Sequence, residues 1–187
     1  MCENLSLTHI CSYCQNKFLK PSLYKRKINH NIEVISFYKY EDIKDLLHTK
    51  HTDLGFYIYN ILAKNSLEKF AQLFEMHEQV ASIAIDDNIK SGYSHTAILN
   101  KHLTSRVIKP LFNKLRARNA ISYSGKSREF RILNPRDFQL KKFKEESVIL
   151  VDDIITTGAT LTQAIDILKR ANKEVLLCLT LCDVSQK

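Results

Sequence analysis

Two adjacent carboxylates mark the most distinctive segment of this sequence, residues 148–160, which reads VILVDDIITTGAT. Asp152 and Asp153 end an apolar run that predicts a buried strand. Carboxylates accept hydrogen bonds from sugar hydroxyls and hold divalent cations such as magnesium. The residues 156–160 that follow supply threonine hydroxyls, backbone N–H groups and a glycine, which together can surround a phosphate. A phosphate, a vicinal diol and a metal ion describe one kind of ligand, a phosphorylated ribose.

The glycines of this chain exclude the commonest phosphate-binding loops. There are four, Gly55, Gly92, Gly125 and Gly158, and their spacing fits neither the GxGxxG dinucleotide loop nor the GxxxxGK[ST] P-loop. Ordinary Rossmann dehydrogenases, P-loop ATPases and protein kinases are therefore excluded. A strand of the Walker B type also ends in acids, but it needs a P-loop as its partner. Gly158 can bring the backbone close to a ligand because it carries no side chain.

Apolar runs of strand length alternate along the chain with segments of helical periodicity. The predicted strands are 34–38, 80–85, 147–151 and 174–181, and the predicted helices are 41–48, 56–74, 98–115 and 160–171. Helix 98–115 is predicted from a row of apolar residues four apart, with a kink at Pro110. Residues 122–143 are predicted to form a long mobile loop. Strands that are apolar on both faces indicate a parallel sheet covered by helices, whose strands end at the ligand crevice.

The stretch VDDIITTGAT resembles the phosphoribosyl pyrophosphate (PRPP) motif of the type I phosphoribosyltransferases. The resemblance implies that Asp152 and Asp153 bind the ribose hydroxyls, with Mg²⁺ accompanying the PRPP. It implies that the 5′-phosphate is held by Thr156, Thr157, Gly158, Ala159 and Thr160. The expected fold is α/β, a type I phosphoribosyltransferase-like parallel sheet flanked by helices, with a small N-terminal cysteine-rich, zinc-finger-like module.

Other segments are similar to the ComF/ComFC competence family. Residues 38–53 resemble the stretch with its pyrophosphate loop, which implies a catalytic role for Lys50 on the leaving diphosphate beside Asp152 and Asp153. Residues 90–103 and 112–138 resemble its later segments. The chain departs from the family at Ser91-Gly92-Tyr93-Ser94-His95, where Arg-Gly-Phe-Asn-Gln is usual, and at 86–88, where Pro-Val-Pro is usual. These departures remove cationic and amide groups, so they favour PRPP binding over transferase turnover.

Three cysteines near the start, Cys2, Cys11 and Cys14, have a spacing that can chelate one ion. A structural Zn²⁺ takes four such ligands, and the fourth could be His9, Cys178 or Cys182, or could have been lost. The alternative is three incidental thiols. Residues 1–31 are predicted to be a separate cysteine-rich zinc-binding module that forms a hood, and residues 32–187 a phosphoribosyltransferase-like domain. An odd total of five cysteines argues against a disulfide framework.

The net charge of +8 is unevenly distributed. Residues 90–145 hold 14 Lys and Arg against 3 Asp and Glu, and a second basic run spans 17–27. Such segregation attracts polyanions. Aromatic residues interleaved with this charge are typical of grooves that stack single-stranded nucleic acid; they are Tyr123, Phe130, Phe138 and Phe143. The alternatives are a solvated loop and aromatic side chains that belong to the core.

Three functional hypotheses follow. In the first, inferred from the resemblance, a PRPP-binding protein handles single-stranded DNA during natural transformation, with a peripheral contact to the membrane or to the uptake machinery. The second is an active phosphoribosyltransferase of nucleotide metabolism with an unidentified acceptor. The third is a regulator that senses PRPP. We expect a cytoplasmic protein, because the apolar runs are far shorter than the ~20 residues of a membrane span and no secretory leader is evident.

Overall fold

The computed structural model describes residue 2 and residues 5–86, 92–118 and 137–186. The strands are β1 Tyr24–Lys27, β2 Glu33–Lys39, β3 Val80–Asp86, β4 Ile108–Ala117, β5 Phe138–Leu140, β6 Ser147–Ile155 and β7 Glu174–Asp183. The helices are α1 Ser12–Phe18, α2 Tyr40–Leu47, α3 Asp53–Asn65, α4 Leu67–Leu73, α5 His95–Lys101 and α6 Ala159–Arg170, with short 3₁₀ turns at Asn29–Asn31 and His48–His51.

Within the described residues, the strands form one seven-stranded sheet in the order β1-β2-β7-β6-β3-β4-β5. The five central strands, in the sheet order β2-β7-β6-β3-β4, run parallel to one another. The two edge strands, β1 and β5, are antiparallel. The predicted α/β class with a mostly parallel sheet is confirmed. The boundary predicted between residues 31 and 32 stays a prediction, although β1 lies before it and adds to the sheet.

The chain order creates a switch point between β3 and β6. The connection from β3 leads to β4 on one side of the sheet, whereas the connection from β6 leads to β7 on the other. A crevice forms where connections diverge in this way, outside the carboxyl ends of the two strands. Asp152 and Asp153 lie in the carboxyl-terminal half of β6, so the topology places both acids at this crevice.

The two faces of the sheet carry separate apolar clusters. One contains Ile149 and Val151 of β6 and is covered by residues of helices α2 to α5. The other contains Val148 and Leu150 and is covered by Leu161, Ala164, Ile165 and Leu168 of α6. Alternate residues of β6 therefore belong to opposite faces, as expected for a strand buried on both sides.

The predicted helix 98–115 is wrong, because α5 ends at Lys101 and β4 begins at Ile108. A row of apolar residues four apart fits one face of a helix, but it also fits one face of a strand, whose period is two. Pro110 lies within β4 opposite Ser82 of β3. Among the described residues, β5 pairs with β4 only at Leu115–Ala117, so no strand needs an N–H from Pro110 on that side.

Other elements need smaller corrections. The predicted helix 56–74 is divided into α3 and α4 at Ser66, whose hydroxyl donates to the carbonyl of Leu62. The predicted loop 122–143 contains β5, while its residues 122–136 lie outside the described residues. In the described part of the chain, no helix has the length and apolar character needed to cross a membrane.

Candidate functional site

The two acids of β6 face different surroundings. Asp153 is buried, with 7% of its surface exposed, and Asp152 is half-buried. Alternation along the strand puts Asp153 on the same face as Val151, under α3 and α5, and Asp152 on the face of α6. The side-chain Oδ1 of Asp152 accepts the backbone N–H of Asp153 at 2.9 Å. The sequence predicted equivalent roles for both acids, whereas their environments differ.

One carboxylate oxygen of Asp153 joins several parts of the chain. Its Oδ2 lies 3.2 Å from Nζ of Lys50, in the turn before α3. The hydroxyl of Tyr59, on α3, donates to the same oxygen at 3.3 Å. Nε2 of His95, at the start of α5, lies 3.3 Å from it. Asp153 thus connects β6 to the turn, to α3 and to α5 through one buried polar cluster.

The charge of this cluster follows from its contacts. Burial alone would raise the pKa of Asp153, but the hydrogen bond from His95 and the positive charge of Lys50 outweigh burial and hold the pKa of this carboxyl below its ordinary value. Burial, with the neighbouring charge of Asp153, raises the pKa of Tyr59 far above its ordinary value. At neutral pH, Asp153 is therefore an anion and Tyr59 a protonated donor.

The turn His48–His51 is held in place at its backbone. The hydroxyl of Tyr93 donates to the carbonyls of Lys50, at 2.8 Å, and Thr52, at 3.0 Å. A Cβ atom at Gly55 would collide with the carbonyl of Thr49 and with the Tyr93 hydroxyl. A glycine at position 55 therefore lets α3 pack directly against the turn, which directs Lys50 toward Asp153.

The predicted phosphate loop, residues 156–160, which is called the phosphate loop below, connects β6 to α6. Gly158 has φ of +80° and stands directly before α6, whose first turn contains no acidic residue. A left-handed conformation of this kind is strained for residues with a side chain. The hydroxyl of Thr157 accepts the N–H of Ala159 at 3.3 Å, and Thr160 lies half-buried in the first turn. A loop that ends at a helix N-terminus of three turns can bind an anion through its N–H groups.

Arg26, on β1, contacts this loop from the edge of the sheet. Its Nη2 donates to the carbonyl of Thr156 at 2.6 Å, and its Nε lies 3.1 Å from Oδ2 of Asp183, at the end of β7. Ile28 follows on the same segment, and its Cγ2 would lie 3.1 Å from a Cβ atom at Gly158. Arg26 and Ile28 thus form one wall of the phosphate loop.

Sequence reasoning missed several residues of the site. Tyr59 was only part of a predicted helix, and Arg26 was only part of a basic run. His95 was noted as a departure that removes an amide, although its imidazole supplies a donor of its own to Asp153. A helix start at Ser94 could have been predicted, because serine is a favoured cap, and Ser94 accepts the N–H of Ala97. It would have placed His95 in the first turn of α5. Asp87, Asn88 and Ser91, noted with it, lie outside the described residues.

The three N-terminal thiols lie together. The Sγ atoms of Cys2 and Cys11 are 3.2 Å apart, those of Cys2 and Cys14 are 3.0 Å apart, and all three lie within 4.8 Å of one another. The contact with Cys2 raises the pKa of Cys14 to about 11. Among the described residues, no further histidine, cysteine or carboxylate joins this group. Three thiols at this spacing fit the donor chemistry of a zinc site.

The residues suggested as a fourth ligand have other surroundings. The ring of His9 stacks on Tyr57 with centroids 4.2 Å apart. Cys178 and Cys182 are fully buried in β7, between β2 and β6. Burial raises the pKa of the Cys178 thiol to about 12. These two cysteines belong to the apolar core, as small hydrophobic residues do.

The basic region is described in part. Arg116, on β4, and Arg118, directly after it, are exposed. Phe138 is buried against the sheet with 6% of its surface exposed, so it cannot stack on a base, and Phe143 packs partly buried beside it. The Nζ of Lys173 lies 4.6 Å from the Phe143 ring centroid. Tyr123, Phe130 and the arginines at positions 128, 131 and 136 lie outside the described residues.

Comparison with solved structures gives matches among phosphoribosyltransferases. A hypoxanthine phosphoribosyltransferase from Staphylococcus aureus is 15% identical over 67% of this chain, with a TM-score of 0.42, and the match spans 62% of that protein's length. The orotate phosphoribosyltransferase from Aeropyrum pernix is 14% identical over 91% of this chain and 80% of its own, with a TM-score of 0.43. An adenine phosphoribosyltransferase is 16% identical over 93% of this chain and 91% of its own, with a TM-score of 0.42.

The family comparison concerns the part of the chain that carries the acids and the loop. No curated protein sequence matches the chain. Residues 106–187, from before β4 to the end of the chain, match the family model described as Phosphoribosyl transferase domain. This range includes the whole segment 148–160, with both acids of β6, the phosphate loop and the start of α6. The candidate site at the switch point of this sheet therefore lies within the residues that match this family model.

Proposed function

We propose that this chain binds PRPP in the crevice at the carboxyl ends of β3 and β6. The observation that carries the proposal is the continuous unit from Asp152 to α6. In this unit, two carboxylates lie near the carboxyl end of a buried strand, and a loop with a left-handed glycine leads into a helix N-terminus. The ligand suited to it has one phosphate for the loop and neighbouring hydroxyls for the acids. A phosphorylated ribose has both groups.

Each part of the unit has a separate role in this proposal. The N–H groups and hydroxyls of residues 156–160 hold the 5′-phosphate. Asp152, being half-buried, is the carboxylate open to the ribose hydroxyls and to Mg²⁺, whose preference for oxygen ligands it matches. Asp153 contributes its second oxygen while Oδ2 stays with Lys50, Tyr59 and His95. Magnesium, when bound, neutralises charge on the diphosphate.

Lys50 is the candidate for contact with the leaving diphosphate. Its side chain is 27% exposed and its ammonium already lies at the acidic pair. If Lys50 turns toward the diphosphate, Asp153 keeps the donors of Tyr59 and His95. The buried carboxylate then remains hydrogen-bonded, which avoids the large cost of an unpaired buried charge. The ordered turn and the cluster around Asp153 support an active phosphoribosyltransferase, whose acceptor this site does not specify.

Isothermal titration with PRPP tests the proposal. The wild-type chain is titrated with PRPP and with ribose 5-phosphate, each with and without Mg²⁺. We expect both ligands to bind, and Mg²⁺ to strengthen the binding of PRPP more than that of ribose 5-phosphate. Lys27→Gln, which removes an exposed charge on β1 away from the loop, is the matched control for general electrostatic effects. Absence of heat with PRPP and Mg²⁺ in the wild type would contradict the proposal.

A second candidate function is the handling of single-stranded DNA during natural transformation. The observation that favours it is the exposed basic edge of the sheet. Arg116 lies on β4, Arg118 lies directly after β4, and Lys141 and Lys142 follow β5. Buried Phe138 removes one of the predicted stacking residues, so this candidate depends on charge. Neutralising Arg116 and Arg118 should then flatten the salt dependence, since each phosphate contact on a single strand contributes a log–log slope of roughly −0.7. Equal slopes for the variant and the wild type would reject this edge as the DNA site.

The N-terminal segment is proposed to bind structural zinc through Cys2, Cys11 and Cys14. Their mutual distances and the exposure of Cys2 support a metal role over three incidental thiols. The residues 1–31 would then form the predicted module beside the crevice. The ring stack between His9 and Tyr57 of α3 supports a position next to the site.

A further inference from the structure

Arg26 lies far outside residues 148–160 in the sequence, yet it contacts the phosphate loop directly. Its guanidinium reaches the carbonyl of Thr156 through Nη2 at 2.6 Å. Its Nη1 donates to Oγ of Ser185 at 3.4 Å, and its Nε pairs with Oδ2 of Asp183 at 3.1 Å. One side chain of β1 therefore connects the end of β7 with the residue that opens the loop.

The anchor of this arrangement is rigid. The side chain of Asp183 is 2% exposed, and its Oδ1 accepts both the N–H and the hydroxyl of Ser185, at 2.9 and 2.8 Å. Its other oxygen is available to Arg26. A planar guanidinium with fixed donors can satisfy an acid and a carbonyl at once, which an ammonium group cannot do with the same geometry.

The contact with Thr156 has a consequence for the next peptide N–H. In a trans peptide, the C=O of one residue and the N–H of the following residue point in opposite directions. Arg26 holds the Thr156 carbonyl toward β1, so the N–H of Thr157 is directed away from β1. Ile28 packs at Gly158 on the same side. Arg26 and Ile28 thus fix the orientation of the first peptide of the loop from outside.

We propose that Arg26 is a positioning residue for the phosphate loop, which it holds with the Thr157 N–H turned to the anion. The inference rests on the proposed PRPP site for the identity of the anion. It assigns to the N-terminal strand a role in phosphate binding that residues 148–160 do not supply themselves. The side chain also places a positive charge, 24% exposed, beside the loop.

The test compares Arg26→Gln and Arg26→Lys with the control Lys27→Gln, which removes the same charge from the exposed side of β1. Amide resonances and hydrogen exchange of Thr157 and Gly158 are measured by NMR without ligand. Affinities for ribose 5-phosphate and for pyrophosphate are measured by calorimetry. The pyrophosphate arm reports the Lys50 side of the crevice, so it separates a local effect on the loop from a general loss of structure.

In Arg26→Gln, we expect shifted amide resonances and faster hydrogen exchange at Thr157 and Gly158. Ribose 5-phosphate should bind about tenfold more weakly, which corresponds to about 1.4 kcal/mol, while the affinity for pyrophosphate should be unchanged. Arg26→Lys should restore only part of the affinity, and it carries the test if the glutamine variant fails to fold. Wild-type amide behaviour and wild-type affinity in Arg26→Gln would overturn the inference. If the wild type binds no ribose 5-phosphate, the PRPP proposal fails, and the amide measurements alone decide the role of Arg26.

Discussion

The two acids of β6 should differ sharply when each is replaced by alanine. Asp153→Ala removes the oxygen that Lys50, Tyr59 and His95 share. Tyr59 is fully buried and His95 is 7% exposed, so neither donor can turn to water. Each buried donor left without a partner costs about 1–3 kcal/mol. Lys50 is partly exposed and adds less, so we expect a loss of about 3–5 kcal/mol in the free energy of unfolding.

Asp152→Ala should be much milder. Its side chain is half-buried and its Oδ1 accepts the backbone N–H of Asp153. Loss of one such bond costs about 1 kcal/mol. Both variants should nevertheless lose PRPP affinity if the two carboxylates face the ribose. Asp153→Asn should lie between the two alanine variants in stability, because an amide oxygen still accepts hydrogen bonds but carries no charge.

Urea unfolding, followed by circular dichroism, measures these differences in the free energy of unfolding. A shift in the unfolding midpoint with an unchanged m-value reports a change in stability. The pKa of Asp153 lies below its ordinary value, so its charge stabilises the fold fully above the unfolded-state pKa of about 3.9. This contribution is lost as the pH falls from there through the lower folded-state pKa. The stability difference between wild type and Asp153→Asn should therefore stay constant above about pH 5, begin to narrow near pH 4 and go on narrowing as the pH falls further. Equal destabilisation by Asp152→Ala and Asp153→Ala would refute this reasoning.

Other predictions concern the loop, the helix cap and the thiols. Gly158→Ala should lower the free energy of unfolding by about 1–2 kcal/mol, because its backbone is left-handed, and it should also weaken PRPP binding. Gly92 also has a left-handed backbone, with φ of +79°, and a Cβ there would have no described atom within 4 Å, so Gly92→Ala should share only the loss of stability. Unchanged PRPP affinity in Gly158→Ala would reject the loop assignment. His95→Gln should keep a donor for Asp153, so most of the stability and PRPP affinity should remain. His95→Phe should lose both stability and PRPP affinity, as measured by thermal unfolding and calorimetry. Equal behaviour of the two variants would show that the contact at 3.3 Å between His95 and Asp153 contributes to neither. Purified wild type should contain about one zinc per chain by elemental analysis, and Cys14→Ser should lose it while Cys178→Ser keeps it; metal-free wild type would contradict the zinc proposal.

The local sequence was sufficient for the elements whose pattern has one interpretation. The apolar strand, the acids and the threonine-glycine loop of 148–160 are contiguous, so their order alone predicts a strand, a turn and a helix start. The strands β2, β3 and β7 are apolar on both faces, which predicts burial in a parallel sheet. The row from Leu99 to Leu115 has a spacing that fits both a helix and a strand, and only pairing with β3 decides that its second half is β4.

The composition of the site depended on the tertiary structure. Arg26 and Thr156 are 130 residues apart, Lys50 and Asp153 are 103 apart, and Tyr59 and Asp153 are 94 apart. No local pattern relates such positions, because a side chain's partner is set by strand order and by the face on which each residue falls. The sequence determined that two acids and a phosphate loop exist together. The sheet decided that one acid is buried among donors, that the other is half-buried, and that an arginine from the first strand contacts the loop.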